Sequence, residues 1–354
     1  MITPGEIQRV LAGYARAELT VATVGSHTAL QILKGARDEG FRNLAVCRRG
    51  TEQVYQQFGV ADEILSVARY QDLMEPSFQQ QLVARNAILI PHGSFVEYLS
   101  PRRIENELAV PQFGNRAVLE WESDRVKERA WLRKAGLTLP QEFRSPEDID
   151  RLVLVKFPGA KGGRGYFMAS SATEFEHKLE NLNLSDKAQY TIQEFVIGTR
   201  FYPHYFYSPL QDRLELLSMD IRYETTIDGL ARVGALVQDH LPEPSFVVTG
   251  NLPVVARESL LPAILKLGHD VVSASQELFS PGLIGPFCIE TICTAELEFV
   301  AFEISARIVA GTNLYINGSP YSHLLYDEPM STGRRIAREL KDAVERDALD
   351  RVVY

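Results

Sequence analysis

The sequence predicts an α/β and α+β protein with an N-terminal doubly wound domain, a small lobe of hairpins and a C-terminal lobe built on a mixed sheet. Three observations lead to this prediction. Short apolar strands alternate with helices near the N-terminus, a glycine-rich loop separates two short strands in the middle, and two apolar strands near the C-terminus each contain a glutamate. The predicted boundaries are 1–122, 123–197 and 198–354, and 354 residues suffice for two or three cooperating domains.

A β-α-β unit opens the N-terminal domain. Residues 19–24 form a short apolar run typical of a strand, residues 29–39 follow as a helix that Gly40 ends, and residues 44–47 are the next strand. The two strands are expected to be parallel and joined by a right-handed crossover. A further buried strand over 87–90 completes the doubly wound pattern, whose ligand edge lies where strands end and helices begin.

The turn at this edge contains Ser26, His27 and Thr28. Backbone N–H groups and the helix dipole favour a phosphate at such a helix N-terminus, and a histidine can donate a hydrogen bond to it. Alternatively, Ser26 merely caps the helix and His27 faces solvent. A similar turn after the last of these strands contains His92 and Ser94, and a hydrogen-bonded turn histidine explains His92 equally well.

The remaining elements follow from apolar periodicity and capping signals. Predicted strands cover 152–157, 166–169, 190–196, 201–207, 214–223, 246–249, 287–292 and 297–304. Predicted helices cover 125–135 and 258–279, a capping box at Ser171 and Glu174 opens another helix, and Ser331 caps the last one. The last two strands are expected to pair as a hairpin.

The composition limits the classes of function. The net charge of -9 at pH 7 argues against nucleic acid as a main partner, because phosphate backbones attract basic surfaces. No run reaches the ~18 apolar residues of a membrane span, and the N-terminus lacks the pattern of a secretion signal. We therefore expect no membrane partner and a cytoplasmic location. Cys47, Cys288 and Cys293 lie in apolar runs, which is typical of buried thiols in a reducing compartment.

A positively charged, glycine-rich loop follows the strand that ends near Lys156. Its key residues are Lys161, Gly162, Gly163, Arg164 and Gly165. Glycines let backbone N–H groups approach phosphate oxygens, and the cationic side chains could neutralise a triphosphate during phosphoryl transfer. The loop lacks the Gly-Lys-Ser/Thr run of a Walker motif and instead fits a mobile lid over a nucleotide. A solvated hairpin turn with surface lysines has equal weight on this segment alone.

The strand that ends the small lobe passes into Glu194, Phe195 and Val196. A strand crossing between two lobes can offer backbone N–H and C=O groups to an adenine edge, and a carboxylate can accept hydrogen bonds from ribose hydroxyls. Taken by itself, the run is more simply an ordinary strand.

An acidic hairpin is the sharper signal. Glu290 and Glu303 each lie inside an apolar strand, where an uncompensated carboxylate is costly to bury. If the strands pair so that the two residues face each other, their like charges raise one pKa, and a divalent cation removes the conflict. Magnesium suits carboxylates together with ATP phosphates. The alternative is a pair of ordinary ion pairs with arginines.

Two polar residues follow the second acidic strand. Arg307 and Asn313 lie just beyond the predicted metal carboxylates, where they could hold a terminal phosphate or a carboxylate that is being activated. Arg307 could equally pair with a nearby glutamate or aspartate.

These features occur in the order typical of the ATP-grasp superfamily. More narrowly, the chain resembles the archaeal formate-dependent 5-aminoimidazole-4-carboxamide ribonucleotide (AICAR) ligases, also called the FAICAR synthetase family. The motifs that carry the resemblance are Gly-Ser-His-Thr at 25–28, Pro-His-Gly-Ser at 91–94, Phe-Pro-Gly-Ala-Lys-Gly-Gly-Arg-Gly at 157–165, Thr-Gly-Asn at 249–251 and Glu-Ile-Ser-Ala-Arg at 303–307. The resemblance extends along nearly the whole chain.

The resemblance implies an ATP-grasp fold and a ligase that uses ATP and formate to convert AICAR into FAICAR in de novo purine biosynthesis. ADP and phosphate would be released through a formyl phosphate intermediate. The implied cofactors are ATP as co-substrate and Mg²⁺ or Mn²⁺, and the implied partners are ATP, formate and AICAR in a homo-oligomer. The rival hypotheses are an ATP-grasp ligase for another carboxylate or amine and a nucleotide-binding regulatory protein without turnover. A dinucleotide oxidoreductase is disfavoured because the first turn lacks Gly-x-Gly-x-x-Gly.

The resemblance also implies a role for individual residues. Arg307, Lys156 and Asn313 would be catalytic, and His27, Ser94, Asn251 and Ser26 would bind AICAR. Lys156, Lys161, Gly162, Gly163, Arg164, Gly165, Glu194, Phe195, Val196 and Glu224 would bind ATP, and Glu290 and Glu303 would bind the metal. The chain departs from some relatives at 308–310, where Ile-Val-Ala replaces a more polar, glycine-rich run.

Overall fold

A parallel four-stranded sheet forms the N-terminal part of the computed structural model, which describes residues 1–157, 166–181, 190–234 and 245–354. Its strands are β1 (Thr20–Val24), β2 (Arg42–Arg48), β3 (Glu63–Val67) and β4 (Ala87–Leu89). Their order across the sheet is β3-β2-β1-β4, and β1 pairs in parallel with both β2 and β4. The predicted doubly wound sheet is therefore confirmed. The strand order reverses beside β1, so the loops after β1 and β4 meet at a switch point, where such sheets bind ligands.

A small antiparallel sheet follows, which we call the lid sheet. It consists of β5 (Glu142–Phe143), β6 (Val153–Lys156), β7 (Tyr166–Ala169) and β8 (Thr191–Glu194), in the order β5-β8-β6-β7. Pairing of β6 with β7 confirms the predicted hairpin. Its connecting residues 158–165 lie outside the described residues, so the predictions for Lys161, Gly162, Gly163, Arg164 and Gly165 are not tested.

The five-stranded antiparallel sheet, which we call the central sheet, follows the lid sheet in the chain. Its strands are β9 (Thr199–Ser208), β10 (Arg213–Glu224), β11 (Val248–Pro253), β12 (Gly285–Cys293) and β13 (Phe299–Ser305), in the order β11-β10-β9-β12-β13. Pairing of β12 with β13 confirms the predicted acidic hairpin. The predicted strand 246–249 begins later, because Phe246 packs its ring against Tyr166, 5.3 Å between centroids, while residues 248–253 form the ladder with β10.

Helices cover these sheets. They are α1 (Pro4–Ala12), α2 (Ala29–Asp38), α3 (Glu52–Phe58), α4 (Pro76–Val83), α5 (Pro101–Glu107), α6 (Ala117–Ser123), α7 (Arg125–Lys134), α8 (Ala172–Asn181), α9 (Ile227–Leu230), α10 (Leu261–Leu278), α11 (Ser322–Leu325) and α12 (Thr332–Glu345). The predicted caps of α8 and α12 are present, because the Ser171 and Ser331 hydroxyls accept the N–H groups of Glu174 and Arg334. A search of the described residues finds no helix that is both long and apolar enough to cross a membrane.

The last helix packs tightly on the N-terminal domain. A Cβ added to Gly35 of α2 would lie 2.3 Å from the backbone nitrogen of Arg334, and one added to Gly333 would lie 2.4 Å from the carbonyl oxygen of Gln31. Only glycine permits this approach of α2 and α12. Arg334 and Arg338 then donate to the Glu39 carboxylate, each with a bond of 2.7 Å. The domain boundaries at 122 and 197 stay a prediction, and this contact joins the first predicted domain to the last.

The three cysteines are free and buried, as predicted. Cys47 lies in β2, whereas Cys288 and Cys293 lie in β12. Burial raises the pKa of Cys47 to about 12, which keeps that thiol protonated and unreactive.

Candidate functional site

The candidate site lies on one face of the central sheet. Cross-strand register places alternate polar residues on this face, since every second side chain of a strand points the same way. The polar residues on this face are Tyr202, His204, Asp220, Arg222, Asn251, Glu290 and Glu303. A cavity of about 900 Å³ extends between this face, the lid sheet and helices α6 and α7, and it also reaches Lys156 and Arg307.

Glu290 and Glu303 are direct cross-strand partners, as predicted. Glu290 is 2% exposed and accepts a hydrogen bond from Arg222. Burial and, after it, the nearby Glu303 raise the pKa of Glu290, although Arg222 opposes the shift. Glu303 is exposed to the cavity, and among the described residues its carboxylate has no hydrogen-bond donor.

The described residues contain no group of three or more His, Cys, Asp or Glu side chains arranged to hold a metal ion. Glu290 and Glu303 nevertheless present two carboxylates to one cavity. Magnesium commonly takes one or two protein carboxylates and completes its shell with phosphate oxygens and water. The pair therefore fits a cation that arrives with a nucleotide better than a site made of protein alone.

Two further glutamates, which no sequence pattern singles out, lie beside β13. The Glu122 carboxylate accepts the N–H of Ala306 at 2.6 Å and the Nε–H of Arg307 at 3.0 Å. The Glu128 carboxylate accepts the N–H of Ile304 at 2.8 Å. Burial raises the pKa of both glutamates. The alternative pairing predicted for Arg307 thus occurs, with a glutamate 185 residues away in the chain.

Lys156 projects from the end of β6 into the same cavity. Its ammonium donates to the Gln193 side-chain oxygen at 3.3 Å. The surrounding protein lowers the pKa of Lys156, and Glu303 partly opposes this shift. The Lys156 ammonium and the predicted metal ligands Glu290 and Glu303 therefore line the same cavity.

The hinge residues Glu194, Phe195 and Val196 line the cavity at the end of β8. The N–H groups of Glu194 and Phe195 donate to the carbonyls of Gln141 and Leu152, at 2.8 and 3.0 Å. These bonds tie the hinge to the lid sheet.

Apolar and acidic groups surround the space beside the hinge. The ring of Phe246 lies 6.5 Å from that of Phe195, and Leu154 and Ile292 also line this part of the cavity. Glu224 lines it too and pairs with Arg200. Burial raises the pKa of Glu224, and Arg200 opposes this shift. A flat apolar space beside a carboxylate can accept a nucleoside.

The N-terminal loops bring two histidines together. The rings of His27 and His92 stack with centroids 5.3 Å apart and planes 1° apart. His92 is fully buried: its Nε2–H donates to the carbonyl of Val24 at 2.9 Å, and its Nδ1 accepts the N–H of Ser94 at 3.2 Å. The ring is therefore a neutral support on which His27 rests. The interpretation of His92 as a hydrogen-bonded turn histidine is the one that the structure bears out.

His27 is exposed and has a positive φ of 55°. It sits in a cleft whose surrounding protein lowers its pKa, as do His92 and Arg307. The Ser94 hydroxyl donates to the Ser26 hydroxyl at 3.0 Å. The alternative in which Ser26 caps the helix is wrong, because α2 begins after Thr28 and has no side-chain cap bond.

Residues 308–310, where the chain departs from some relatives, pack inward. Ile308 is 1% exposed and pairs with His92 in an isolated parallel bridge, and Val309 is also buried. The apolar residues therefore connect the Arg307 strand to the histidine loop. They do not line the 900 Å³ cavity.

Asn313 is not brought to the cavity. Its side-chain amide donates to the carbonyl of His27 at 3.0 Å, and its oxygen accepts a hydrogen bond from Gln31 at 2.8 Å. The residue holds the His27 loop in place, and its predicted catalytic role has no geometric support here.

A buried chain of hydrogen bonds orients Asn251. Its amide donates to Asp220 at 2.6 Å, and Asp220 is bonded to His204 at 2.7 Å. Because a carboxylate only accepts hydrogen bonds, the Asn251 nitrogen must face Asp220 and its oxygen must face away. Asn251 thus presents an acceptor, which suits a ligand N–H group.

Comparison with protein families gives two matches along the chain. Residues 21–143 match a family described as "Protein of unknown function (DUF1246)", and residues 172–354 match one described as "Domain of unknown function (DUF1297)". A 5-formaminoimidazole-4-carboxamide-1-(beta)-D-ribofuranosyl 5'-monophosphate synthetase of Methanocaldococcus jannaschii is 49% identical over 360 residues, with all of both chains covered.

Solved structures with a similar fold cover most of the chain. The crystal structure of an IMP biosynthesis protein PurP from Thermococcus kodakaraensis superposes with a TM-score of 0.76 and 32% identity, over 94% of this chain and 100% of that one. An N5-carboxyaminoimidazole ribonucleotide synthetase solved with ADP superposes with a TM-score of 0.66 and 13% identity, over 91% and 76% of the respective chains. The latter similarity concerns the fold alone.

Proposed function

The chain belongs to the FAICAR synthetase family, and from this membership we propose how its cavity residues act. It has the ATP-grasp fold, and it is a carbon–nitrogen ligase that formylates AICAR with formate in IMP biosynthesis. The observation that carries the residue-level proposal is the single cavity that contains Glu290, Glu303, Lys156 and Arg307.

The proposed reaction has two steps. A formate oxygen attacks the γ-phosphorus of ATP, which gives formyl phosphate and ADP. The 5-amino group of AICAR then attacks the formyl carbon, loses a proton and displaces phosphate, which gives FAICAR. The ring withdraws electrons from this amine, so formate must be activated first. No protein nucleophile is required, and water must be excluded because an acyl phosphate hydrolyses readily.

The opposed carboxylates of Glu290 and Glu303 would hold Mg²⁺ or Mn²⁺ together with ATP phosphate oxygens. Such a cation supplies neutralisation of the charge that develops on the transferred phosphoryl group. Lys156 adds a positive charge on the lid side, and Arg307 adds one beside Glu303. The glycine-rich run Lys161–Gly165, which lies outside the described residues, would cover the phosphates.

ATP and AICAR would enter from opposite sides of the central sheet's polar face. ATP would place adenine between Phe246 and the hinge residues Glu194 to Val196, and Glu224 would accept from the ribose. AICAR would lie at the switch point of the N-terminal sheet. There, His27 and Ser26 would donate to its phosphate, and Ser94, whose hydroxyl donates to Ser26, would orient that donor.

Asn251 would meet the other end of AICAR, since its oxygen is oriented to accept from an N–H group. Because Ile308 forms a bridge with His92, this half of the site would lie next to Arg307. A homo-oligomer stays a prediction from the resemblance.

The test is product identification by mass spectrometry after incubation with ATP, ¹³C-formate and AICAR. The proposal expects ¹³C-labelled FAICAR and ADP in equal amounts, both dependent on formate. ADP release with another carboxylate or amine, but not with this pair, would identify a ligase for different substrates. Absence of ADP release with a broad panel would favour a nucleotide-binding protein without turnover.

A further inference from the structure

Part of the outer edge of β13 is closed by carboxylates in place of another strand. β13 is the last strand of the central sheet, so its outward N–H groups have no strand partner there. Glu128 accepts the N–H of Ile304, and Glu122 accepts that of Ala306, two residues further along. Alternate N–H groups of a strand point to the same side, so the two bonds lie in one row.

The carboxylates of Glu122 and Glu128 differ in their other hydrogen bonds. The second oxygen of Glu122 accepts the Nε–H of Arg307 at 3.0 Å, whereas no bond joins Glu128 to that arginine. The Glu122 side chain is 4% exposed and that of Arg307 is 15% exposed, so little water competes for this contact. Within the described residues the terminal guanidinium nitrogens of Arg307 have no hydrogen-bond partner, and Arg307 lines the cavity.

We propose that Glu122 is the positioning residue for Arg307, which it fixes through both the strand backbone and Nε so that the two terminal nitrogens meet the carboxylate being activated. This inference rests on the proposed function. A guanidinium is planar, so a hydrogen bond at Nε fixes the direction in which its two terminal nitrogens point, and these match the two oxygens of formate. Both oxygens of Glu122 already accept hydrogen bonds, so it would act through Arg307 and not on the reacting atoms.

A glutamine at position 122 is the sharpest probe, because a carboxylate has two acceptor oxygens and a carboxamide has one. In Glu122→Gln, one donor, the Ala306 N–H or the Arg307 Nε–H, would face an NH₂ group. We expect the KM for formate to rise about tenfold or more, since a hydrogen bond between charged groups is lost. The affinities for ATP and AICAR, measured by calorimetry, should stay within about twofold because Glu122 is not among the residues assigned to either ligand.

Glu128→Gln is the matched control. It changes the neighbouring bond on the same strand edge but does not touch Arg307. Arg307→Lys removes the Nε–H that Glu122 accepts. In a double variant with Arg307→Lys, Glu122→Gln should therefore raise the formate KM little further. The effect of Glu128→Gln on the formate KM should instead multiply with that of Arg307→Lys. Equal effects of the two glutamine variants, or multiplication of Glu122→Gln with Arg307→Lys, would overturn the proposal and leave Glu122 as a strand cap only.

A second readout is independent of turnover. The ¹H–¹⁵N spectrum of arginine Nε–H groups should contain one shifted signal that disappears in Arg307→Lys, moves in Glu122→Gln and stays in Glu128→Gln. An unmoved signal in Glu122→Gln would overturn the proposal even if the enzyme is active. Lack of formate-dependent ADP release by the wild type would instead refute the proposed function, while the spectrum still decides whether Glu122 holds Arg307. If Glu122→Gln fails to fold, Glu122→Asp replaces it, because aspartate keeps both acceptor oxygens on a shorter side chain. The Arg307 Nε–H signal should also move in this variant.

Discussion

The β12–β13 hairpin and the outer edge of β13 both place carboxylates in one cavity, yet these carboxylates have different hydrogen-bond partners. At the edge, Glu122 and Glu128 are each bonded to a backbone N–H of the strand. In the hairpin, Glu290 is bonded to a side chain, that of Arg222, and Glu303 has no donor among the described residues. Burial of a carboxylate is therefore no mark of a metal site. What distinguishes the candidate ligands is that the backbone leaves them unsatisfied.

The stacked histidines repeat this contrast. His92 has both ring nitrogens bonded to the backbone and is fully buried, whereas His27 is exposed on top of it. We infer that groups bonded to the backbone alone, such as Glu128 and His92, contribute to stability, and that groups left open, such as Glu303 and His27, contribute to activity.

Glu303→Gln should have the largest effect. We expect kcat for ADP formation to fall on the order of 1000-fold, because a metal ligand contributes several kcal/mol to the stabilisation of phosphoryl transfer. Coupled-enzyme assays of ADP measure this, and the midpoint of thermal unfolding should remain within a few degrees of the wild type. Normal turnover in this variant would refute the metal assignment.

His92→Ala should destabilise the fold by about 3 kcal/mol, since it leaves the Val24 carbonyl without its donor and opens a ring-sized cavity. Urea denaturation followed by circular dichroism measures the free energy of unfolding. A loss below about 1 kcal/mol would show that the ring is not the support described here.

The same residue predicts a pH dependence of stability. Burial lowers the pKa of His92 from 6.5 to about 4, although its bond to Val24 opposes the shift. Between these pH values the folded protein binds fewer protons than the unfolded chain. The contribution of His92 to the free energy of unfolding is thus fully present above pH 6.5. It falls as the pH drops towards 4, by up to ~1.4 kcal/mol per pH unit. Urea titrations at several pH values measure the slope, and His92→Gln should reduce it.

His27→Ala should weaken AICAR binding about tenfold, because one hydrogen bond to an anionic group is lost. Calorimetry should show a much smaller change for ATP, and the unfolding midpoint should not move. Equal loss of both ligands would place His27 outside the AICAR pocket.

Glu128→Gln should have the smallest effect on the free energy of unfolding, within about 1 kcal/mol of the wild type. The amide oxygen can still accept the Ile304 N–H, and the substitution removes a like charge near Glu303. A large destabilisation would mean that the charge of Glu128, and not its acceptor, holds the strand.

Sequence periodicity predicted the hairpin because the signal is local. Glu290 and Glu303 stand in apolar runs short enough to require pairing, and the register then follows from the turn between them. The β-α-β unit was predictable for the same reason. By contrast, Glu122 and Glu128 lie in a charged stretch that resembles any solvated helix, and only contact with a strand more than 170 residues away buries them. The fixed orientation of Asn251 likewise depends on β9 and β10, which no spacing in the chain reveals.

Asn313 illustrates the limit of motif transfer. Its place after Arg307 suggested chemistry, whereas its side chain secures the His27 loop from outside the cavity. The role of Ile-Val-Ala at 308–310, which differs from some relatives, could not be predicted from sequence either. The inward packing of this segment depends on the bridge between Ile308 and His92.

The glycine contact between α2 and α12 has a consequence for synthesis of the protein. A nascent chain completes the N-terminal sheet early, but the loop at His27 is held by Asn313, and the helix behind it rests against Gly333. The pocket assigned to the ribonucleotide can therefore assume its final shape only after almost the entire polypeptide has left the ribosome. Until then, the loops that would bind the ribonucleotide lack the contacts that hold them in this structure.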